Sequence, residues 1–423
     1  MLVRESKLKG AQPQYQALDE AIRTAQFVRN KCLRHWMDNQ GVNKAQLYKV
    51  CKELAQAFAF AKKLNSTARQ ASAERAWSAI SRFYIRCRNG EAKKGYPKFQ
   101  KHCRSVEYKQ SGWKLSPDGM SITLTDGFQG GTFALYCNAE ARADILRFKI
   151  NRVRIIRRAD GYYAQFVLDA DRQESVPYTG QVIGLDLGLK YFYADQHGNT
   201  VEYHKFLRRT ERRLKQQQRR LSRKYRKGKQ QSKHYHKQRK RLGRVHLKVQ
   251  RQRKDWAIKL ARCVVMSNDI VVYEDLQIRN MVKNRHLAKS IHDAAWGLFT
   301  QWLDYFGKLW HKVVIAVPPH YTSQDCSECG YRVQKTLNTR THTCPNCGFT
   351  ANRDQAAAMN IVKRGLAMLG ANGTFGQKGT ALQEGTLGEI NTAAREGQPE
   401  LVSVVAELRT RIPVLKHGEY VKV

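Results

Sequence analysis

The stretch AVPPHYTSQDCSECGYRVQKTLNTRTHTCPNCGFTANRDQAAA, residues 316–358, decides how the chain is read. It starts at the end of an apolar run, passes through two Cys-x-x-Cys pairs and closes on a carboxylate heading an alanine-rich segment. Cys326/Cys329 and Cys344/Cys347 are fourteen residues apart. Each pair presents two thiolates about one ion apart, so two pairs complete the tetrahedral shell that Zn²⁺ prefers. The gap is slightly shorter than the usual ribbon spacing but chemically sound. Gly330 and Gly348 follow the pairs and suit a tight knuckle. Four cysteines leave no open coordination position, so one structural Zn²⁺ is expected here. Asp354 stands seven residues after Cys347. A metal clip followed so closely by a carboxylate suggests that the clip sits beside a catalytic site.

Working outward, two apolar runs end in carboxylates: Val182–Lys190 (VIGLDLGLK) and Asp269–Leu276 (DIVVYEDL). Both read as buried strands, and Asp186 and Glu274 lie at or near their carboxyl ends. Carboxylates at strand ends and at a helix start, on an α/β sheet, are what a divalent-metal phosphodiesterase site needs. Two Mg²⁺ ions about 4 Å apart share such ligands, activate water and stabilise the leaving oxygen. Asp275 competes with Glu274, and Asp195 and Asp269 are rival candidates. An Asp after a strand is also an ordinary turn or cap residue.

The composition points the same way. The chain has 423 residues and a formal net charge of +41. Its length suggests roughly two to four domains. So basic a chain repels itself unless it binds a polyanion, and nucleic acid is the obvious partner. The first twenty residues show no apolar signal-peptide core, and no run approaches a membrane span. Six of the ten cysteines are scattered and isolated, as in a reducing compartment. These features predict a cytoplasmic protein that binds nucleic acid and has no membrane partner.

In chain order, residues 1–12 read as a short basic edge strand. Helical periodicity runs from Gln14 to about Ala61 and again from Ala71 to Arg86. After Gly95-Tyr96-Pro97-Lys98-Phe99 come short β-rich runs, Ser121–Leu124, Thr132–Cys137, Phe148–Ile156 and Tyr162–Leu168, which suggest a small barrel-like β domain. Its basic residues, Lys149, Arg152, Arg154, Arg157 and Arg158, read as a phosphate-binding face. Asp186 falls in the first strand of a three-strand meander. Residues 208–254 hold 22 Lys or Arg against one acidic residue, Glu211. This run predicts a helical hairpin bent at Gly228 that contacts nucleic acid. Trp256–Met266 and Ile291–His311 read as helices and Val313–Val317 as a buried strand. Residues 371–423 lose periodicity and read as a disordered tail.

The order IGLDLGLK (183–190), VVYEDL (271–276), YTSQDCSECG (321–330), CPNCGF (344–349) and NRDQAAAMNI (352–361) resembles the TnpB family, transposon-encoded RNA-guided nucleases related to type V CRISPR effectors. The resemblance covers about residues 14–369 and includes GYPKF (95–99) and KNRHLAKSIHDAAWG (283–297). It implies a multidomain α+β fold, in which a RuvC/RNase H-like α/β nuclease domain with an inserted zinc ribbon joins a helical recognition domain and a β-barrel wedge domain. The wedge would be 1–13 and 95–180, the recognition domain 14–94, the nuclease 181–320 with a basic bridging insertion at 206–255, the zinc finger 321–351, and the end of the nuclease 352–370. Asp186, Glu274 and Asp354 match the family carboxylates that bind two Mg²⁺ and cut DNA, which selects Glu274 over Asp275. Cys326, Cys329, Cys344 and Cys347 match the zinc finger. A guide RNA and a double-stranded target DNA are the implied partners, with a monomer as the working expectation. The expected function is an RNA-guided DNA endonuclease of a transposable element. A guide-free transposase or strand transferase and a non-catalytic nucleic-acid-binding regulator are the alternatives.

Overall fold

The computed structural model describes residues 1–170, 174–336 and 339–371. The chain divides into two compact units, with the boundary between Arg172 and Gln173.

The N-terminal unit runs β1 (Leu2–Lys9), α1 (Gln12–Asp38), α2 (Lys44–Ala57), α3 (Ala59–Lys63), α4 (Ser66–Arg88), β2 (Ser105–Tyr108), β3 (Trp113–Leu115), β4 (Ser121–Leu124), β5 (Gly131–Tyr136), α5 (Ala139–Arg147), β6 (Ile150–Arg158) and β7 (Gly161–Leu168). Its seven strands form one sheet, ordered β2-β6-β7-β1-β5-β4-β3, curled into a nearly closed barrel. β1 was expected at an edge, but it lies between β5 and β7, antiparallel to both. Two of the charges that suggested an edge are met by residues distant in sequence within the same unit. Glu5 accepts from Arg158 at 2.5 Å, and Arg4 pairs with Asp144 and Glu140 of α5. An antiparallel strand needs only one apolar face, so a charged outer face does not demote it. Strands β2 and β3 and helix α5 escape a pattern reading because they are short.

Helix α1 is shared between two cores. Leu18 and Ile22 pack with Leu8, Phe133 and Phe166 of the sheet, while Val28, Cys32 and Leu33 pack with Leu47, Val50 and Ile80 of the helices. The helix ends are set by sequence. Asn43 and Gln46 form a reciprocal capping box on α2, and Asn65 caps α4.

The C-terminal unit runs β8 (Val182–Leu187), β9 (Tyr193–Ala194), β10 (Thr200–Val201), α6 (Phe206–Ser222), α7 (Lys233–Ser267), β11 (Ile270–Glu274), α8 (Ile278–Met281), α9 (Arg285–Ala294), α10 (Trp296–Trp310), β12 (Val313–Val317), β13 (Thr341–Thr343), β14 (Thr350–Asn352) and α11 (Arg353–Ala371). Five strands form a sheet ordered β10-β9-β8-β11-β12, with β8, β11 and β12 parallel and the β8–β9–β10 meander antiparallel. β12 is an edge strand in which Val317 alone is buried, so the expectation of a buried strand is corrected. One face of the sheet packs through Ile183, Leu185 and Tyr273 onto α7 and α10. The other packs through Val182, Ile270 and Val272 onto α11.

The basic run forms α6 and the first half of α7, with Gly228 at φ +70° in the turn between them. Leu214, Leu242 and Val245 make their own small core. Helix α7 continues unbroken through Trp256–Met266, so no separate helix exists there. The single helix expected over Ile291–His311 is two, because Ala295 adopts left-handed φ 57° between α9 and α10. Among the described residues, no helix is long and apolar enough to cross a membrane. The expected disordered tail, 371–423, lies outside the described residues except for residue 371, which ends α11.

Candidate active site

The three sequence-selected carboxylates come from three different elements. Successive residues of a strand face opposite sides of its sheet. In the parallel β8–β11 pair Leu185 lies opposite Tyr273, and both point into the α7/α10 core. Asp186 and Glu274 are each one residue further on, so both emerge on the α11 face. Asp354 occupies the first turn of α11, where the positive end of the helix dipole favours an anion.

A missing side chain sets the approach of α11. A Cβ at Gly184 would lie 2.5 Å from the Ala358 carbonyl oxygen and 2.6 Å from Val362 Cγ2. The helix therefore rests directly on the β8 backbone, two residues before Asp186. Gly365, further along α11, rests likewise against Val272 of β11.

Burial, with the neighbouring Glu274 and Asp354 charges adding to it, pushes the Asp186 carboxyl well above the usual carboxylate range. Burial raises Glu274 as well, against a hydrogen bond donated by Thr322 Oγ1 and the charge of Arg364. Asp354 is ion-paired with Arg353 at 3.0 Å. The rival carboxylates have other work. Asp195 accepts from the His197 and Asn199 backbone amides and closes the β9–β10 turn. Asp269 accepts from the Thr179 and Gly180 amides and pairs with Lys312 at 3.1 Å. Asp275 is exposed, one residue beyond β11.

The four cysteines converge. Their sulfurs all lie within 4.8 Å of one another, with Cys326–Cys347 at 3.6 Å and Cys329–Cys344 at 3.5 Å. A tetrahedron with Zn–S bonds of about 2.3 Å has S–S edges of about 3.8 Å. The two knuckles repeat one geometry. Gly330 and Gly348 both have φ +75°, and each amide donates to the carbonyl of the first cysteine of its pair at 3.0 Å. The arrangement fits a closed structural zinc site.

The zinc module is tied to the carboxylates through α11. Asn360 Nδ2 donates to the carbonyls of Thr322 (2.9 Å) and Asp325 (2.7 Å), and Arg364 pairs with Asp325 at 3.0 Å. The same segment thus carries the Thr322 hydroxyl to Glu274 and leads into Cys326. Sequence reasoning missed Thr322, Asn360 and Gly184. The available signal was Asn360, a polar residue in the apolar run AAAMNIV, which must find buried partners.

Residues 165–285 match a family model described as "Probable transposase" (OrfB_IS605), and residues 296–361 match the Cas12f1-like TNB domain. A Streptomyces pristinaespiralis protein provisionally named an RNA-guided DNA endonuclease is 34% identical over 217 residues, covering 51% of this chain and 53% of the relative. The Escherichia coli K12 protein provisionally named RNA-guided DNA endonuclease InsQ is 29% identical over 252 residues, covering 56% and 61%. A TnpB-like protein of Methanocaldococcus jannaschii is 33% identical over 109 residues, covering 26% and 24%. The chain thus spans a little over half the length of the first two relatives. In fold it is similar to the protein of a Cas12f1–sgRNA–target DNA complex, with a TM-score of 0.53 and 13% identity over 82% of each chain. The first match contains Asp186 and Glu274 and the second contains the four cysteines and Asp354, and together with the TnpB-like relative they support a TnpB-family protein.

Proposed function

We propose that the chain is an RNA-guided DNA endonuclease of a transposable element, with Asp186, Glu274 and Asp354 as its catalytic carboxylates. The observation that carries this is their arrangement: two adjacent parallel strands and one helix start deliver three carboxylates to a single face. The strand order, a three-strand antiparallel meander continued by two parallel strands, supports a RuvC/RNase H-like nuclease domain. The likeness of fold to Cas12f1 in its complex with sgRNA and target DNA supports the same reading.

The carboxylates fit a divalent-cation site. Asp186 is raised by burial and by two neighbouring carboxylates, a local excess of negative charge that cations relieve. Asp186, Glu274 and Asp354 would hold two Mg²⁺, which when bound activate water and stabilise the departing oxygen, leaving 5′-phosphate and 3′-hydroxyl ends. The protein's own residues do the positioning. Thr322 orients the Glu274 carboxylate by donating to it. Gly184 sets the height of Asp354 above the sheet, and Arg353 supplies positive charge beside it. The basic α6–α7 hairpin grips phosphate backbones, with affinity falling steeply as salt rises. We assign the helical part, 14–94, to recognition and the sheet, 1–13 and 95–180, to gripping guide RNA and the adjoining duplex, with sequence read by base pairing.

The experiment is to express the chain with its native downstream flanking DNA, purify it in high salt and sequence the RNA that stays bound. One defined RNA running from the element's end into neighbouring sequence is the expected result. A smear of ribosomal and transfer RNA would move the assignment to a guide-free transposase or a regulator.

A further inference from the structure

From the exposed rings of the N-terminal unit we infer a stacking surface for unpaired nucleobases, built by Tyr84, Tyr96 and Phe99. These rings are 46%, 52% and 40% exposed, a concentration that core packing does not explain. They are held rigidly. Trp36 Nε1 donates to the Tyr84 hydroxyl at 2.9 Å, and the Trp36 ring meets Tyr84 at 5.9 Å and Tyr96 at 5.6 Å between centroids. Phe83 meets Tyr96 edge-on at 5.3 Å. Trp36 is buried in the helical core with Phe83 packed against it, so the Tyr84 and Tyr96 rings rest on a fixed base.

The segment carrying Tyr96 and Phe99 belongs to no sheet, yet its backbone is pinned. Asn30 of α1 donates to the Gln100 carbonyl at 2.9 Å and accepts from the Gln100 amide at 3.0 Å. Gln26, one turn earlier, accepts from the Cys103 amide at 2.6 Å. Gly95 adopts φ +64° and turns the chain onto α4, where a Cβ would lie 2.6 Å from Arg86 Nη1. Two helix side chains therefore do for this strip what a neighbouring strand does elsewhere, and the rings it carries are preorganised.

Charge selects the occupant. Residues 82–104 contain eight Lys or Arg, all exposed, against the single acid Glu91. Arg34 lies over the Phe99 ring at 5.0 Å, adding a guanidinium plane to the surface. Aromatic faces interleaved with cations are how proteins hold single-stranded nucleic acid without reading its sequence. An apolar peptide would not require the cations, and duplex DNA hides its base faces. The rings belong to the N-terminal unit and the carboxylates to the C-terminal one, and the inference rests only on the nucleic-acid-binding part of the proposed function.

The test uses the full chain, freed of nucleic acid in high salt, and measures binding of a fluorescent oligothymidylate and of an equally long abasic strand. Wild type is expected to prefer the base-bearing strand. Tyr96→Leu keeps apolar bulk but removes the π face. Together with Phe99→Ala it should weaken that strand about 5- to 150-fold per stacked base, leaving the abasic strand and the salt slope unchanged. Equal binding of both strands by wild type, or equal loss on both in the variants, overturns the stacking surface alone. Failure of wild type to bind either strand overturns the nucleic-acid reading itself. Photocrosslinking with 4-thiothymidine gives a second readout that does not depend on variant folding: adducts on Tyr84, Tyr96 or Phe99 are expected, and adducts confined to α6 and α7 would overturn the inference. Displacement of oligothymidylate from wild type but not from the variants by a poly-glutamate peptide, with no preference for bases, would reassign the surface to an acidic protein.

Discussion

Gly184→Ala tests how the fold sets the candidate site. The added Cβ would sit 2.5 Å from the Ala358 carbonyl oxygen, whereas ordinary contacts begin at 3.4 Å. Something must recede by about 1 Å, and the obstructing atom is helix backbone, so α11 must lift from β8. Overpacking of this kind costs about 1–3 kcal/mol. The better strand propensity of alanine returns roughly 0.5 kcal/mol or more, leaving a melting point lower by only a few degrees. The lift falls next to Asp186 and carries Asp354 with it. A misplacement of about 1 Å can cost on the order of 100-fold in rate, so DNA cleavage should fall far more than stability. Single-turnover cleavage with saturating guide and target, beside a thermal melt, measures both. Gly365→Ala meets the Val272 side chain rather than backbone, farther from the carboxylates, and should lower stability with a smaller effect on rate. Gly370→Ala meets nothing within 4 Å and is the control. A Gly184→Ala protein that cuts at the wild-type rate would refute the claim that this contact sets the carboxylate geometry.

Asp186→Ala should abolish cleavage and leave RNA binding intact; a purified variant that still cuts would remove Asp186 from the site. Cys344→Ser should lose the zinc, destabilise the C-terminal unit and lower cleavage, and a count of one zinc per chain in that variant would contradict this. A pH prediction follows from Glu74. Burial alone would raise its carboxyl, but hydrogen bonds from Lys109 and Tyr48 outweigh burial and hold it at about 2. Its folded value is depressed, so its contribution to stability is complete above the unfolded value of about 4.5 and is lost as pH falls toward 2. Glu74→Gln should therefore flatten the acid side of the melting-temperature profile of the N-terminal unit, and an unchanged profile would exclude this contribution. Glu107, buried among Arg75, Arg152 and Arg154, should cost about 3 kcal/mol on replacement by Gln, measured by denaturant unfolding.

Residues whose chemistry depends on type and local spacing were readable from the chain alone. The cysteine pairs announce a four-sulfur cluster because a two-residue gap already places two thiolates on one ion, and the sulfurs do gather within 4.8 Å. Asp186, Glu274 and Asp354 were candidates because each ends an apolar strand or begins a helix, but Asp195, Asp269 and Asp275 were rivals on the same ground, and only the family resemblance singled out the three. Features that depend on neighbours distant in sequence were not readable. The outer charges of β1 resembled an edge because their partners, Asp144 and Arg158, lie more than a hundred residues away. The break at Ala295 interrupts an apolar pattern that continues on both sides, so periodicity runs through it. Thr322 is one hydroxyl among many until the fold brings it to Glu274.

The sequence by itself determined the ligand types, the charge that calls for a polyanion, and the periods that make helices and strands, since these depend on side-chain chemistry and on spacings of a few residues. Only the tertiary structure decided that Asp186 and Glu274 share a face with Asp354, how closely α11 rests on Gly184, and that Tyr84 and Tyr96 stand together on the Trp36 base. Those relations arise where elements far apart in the chain pack, and the packing depends on the shape of both surfaces at once.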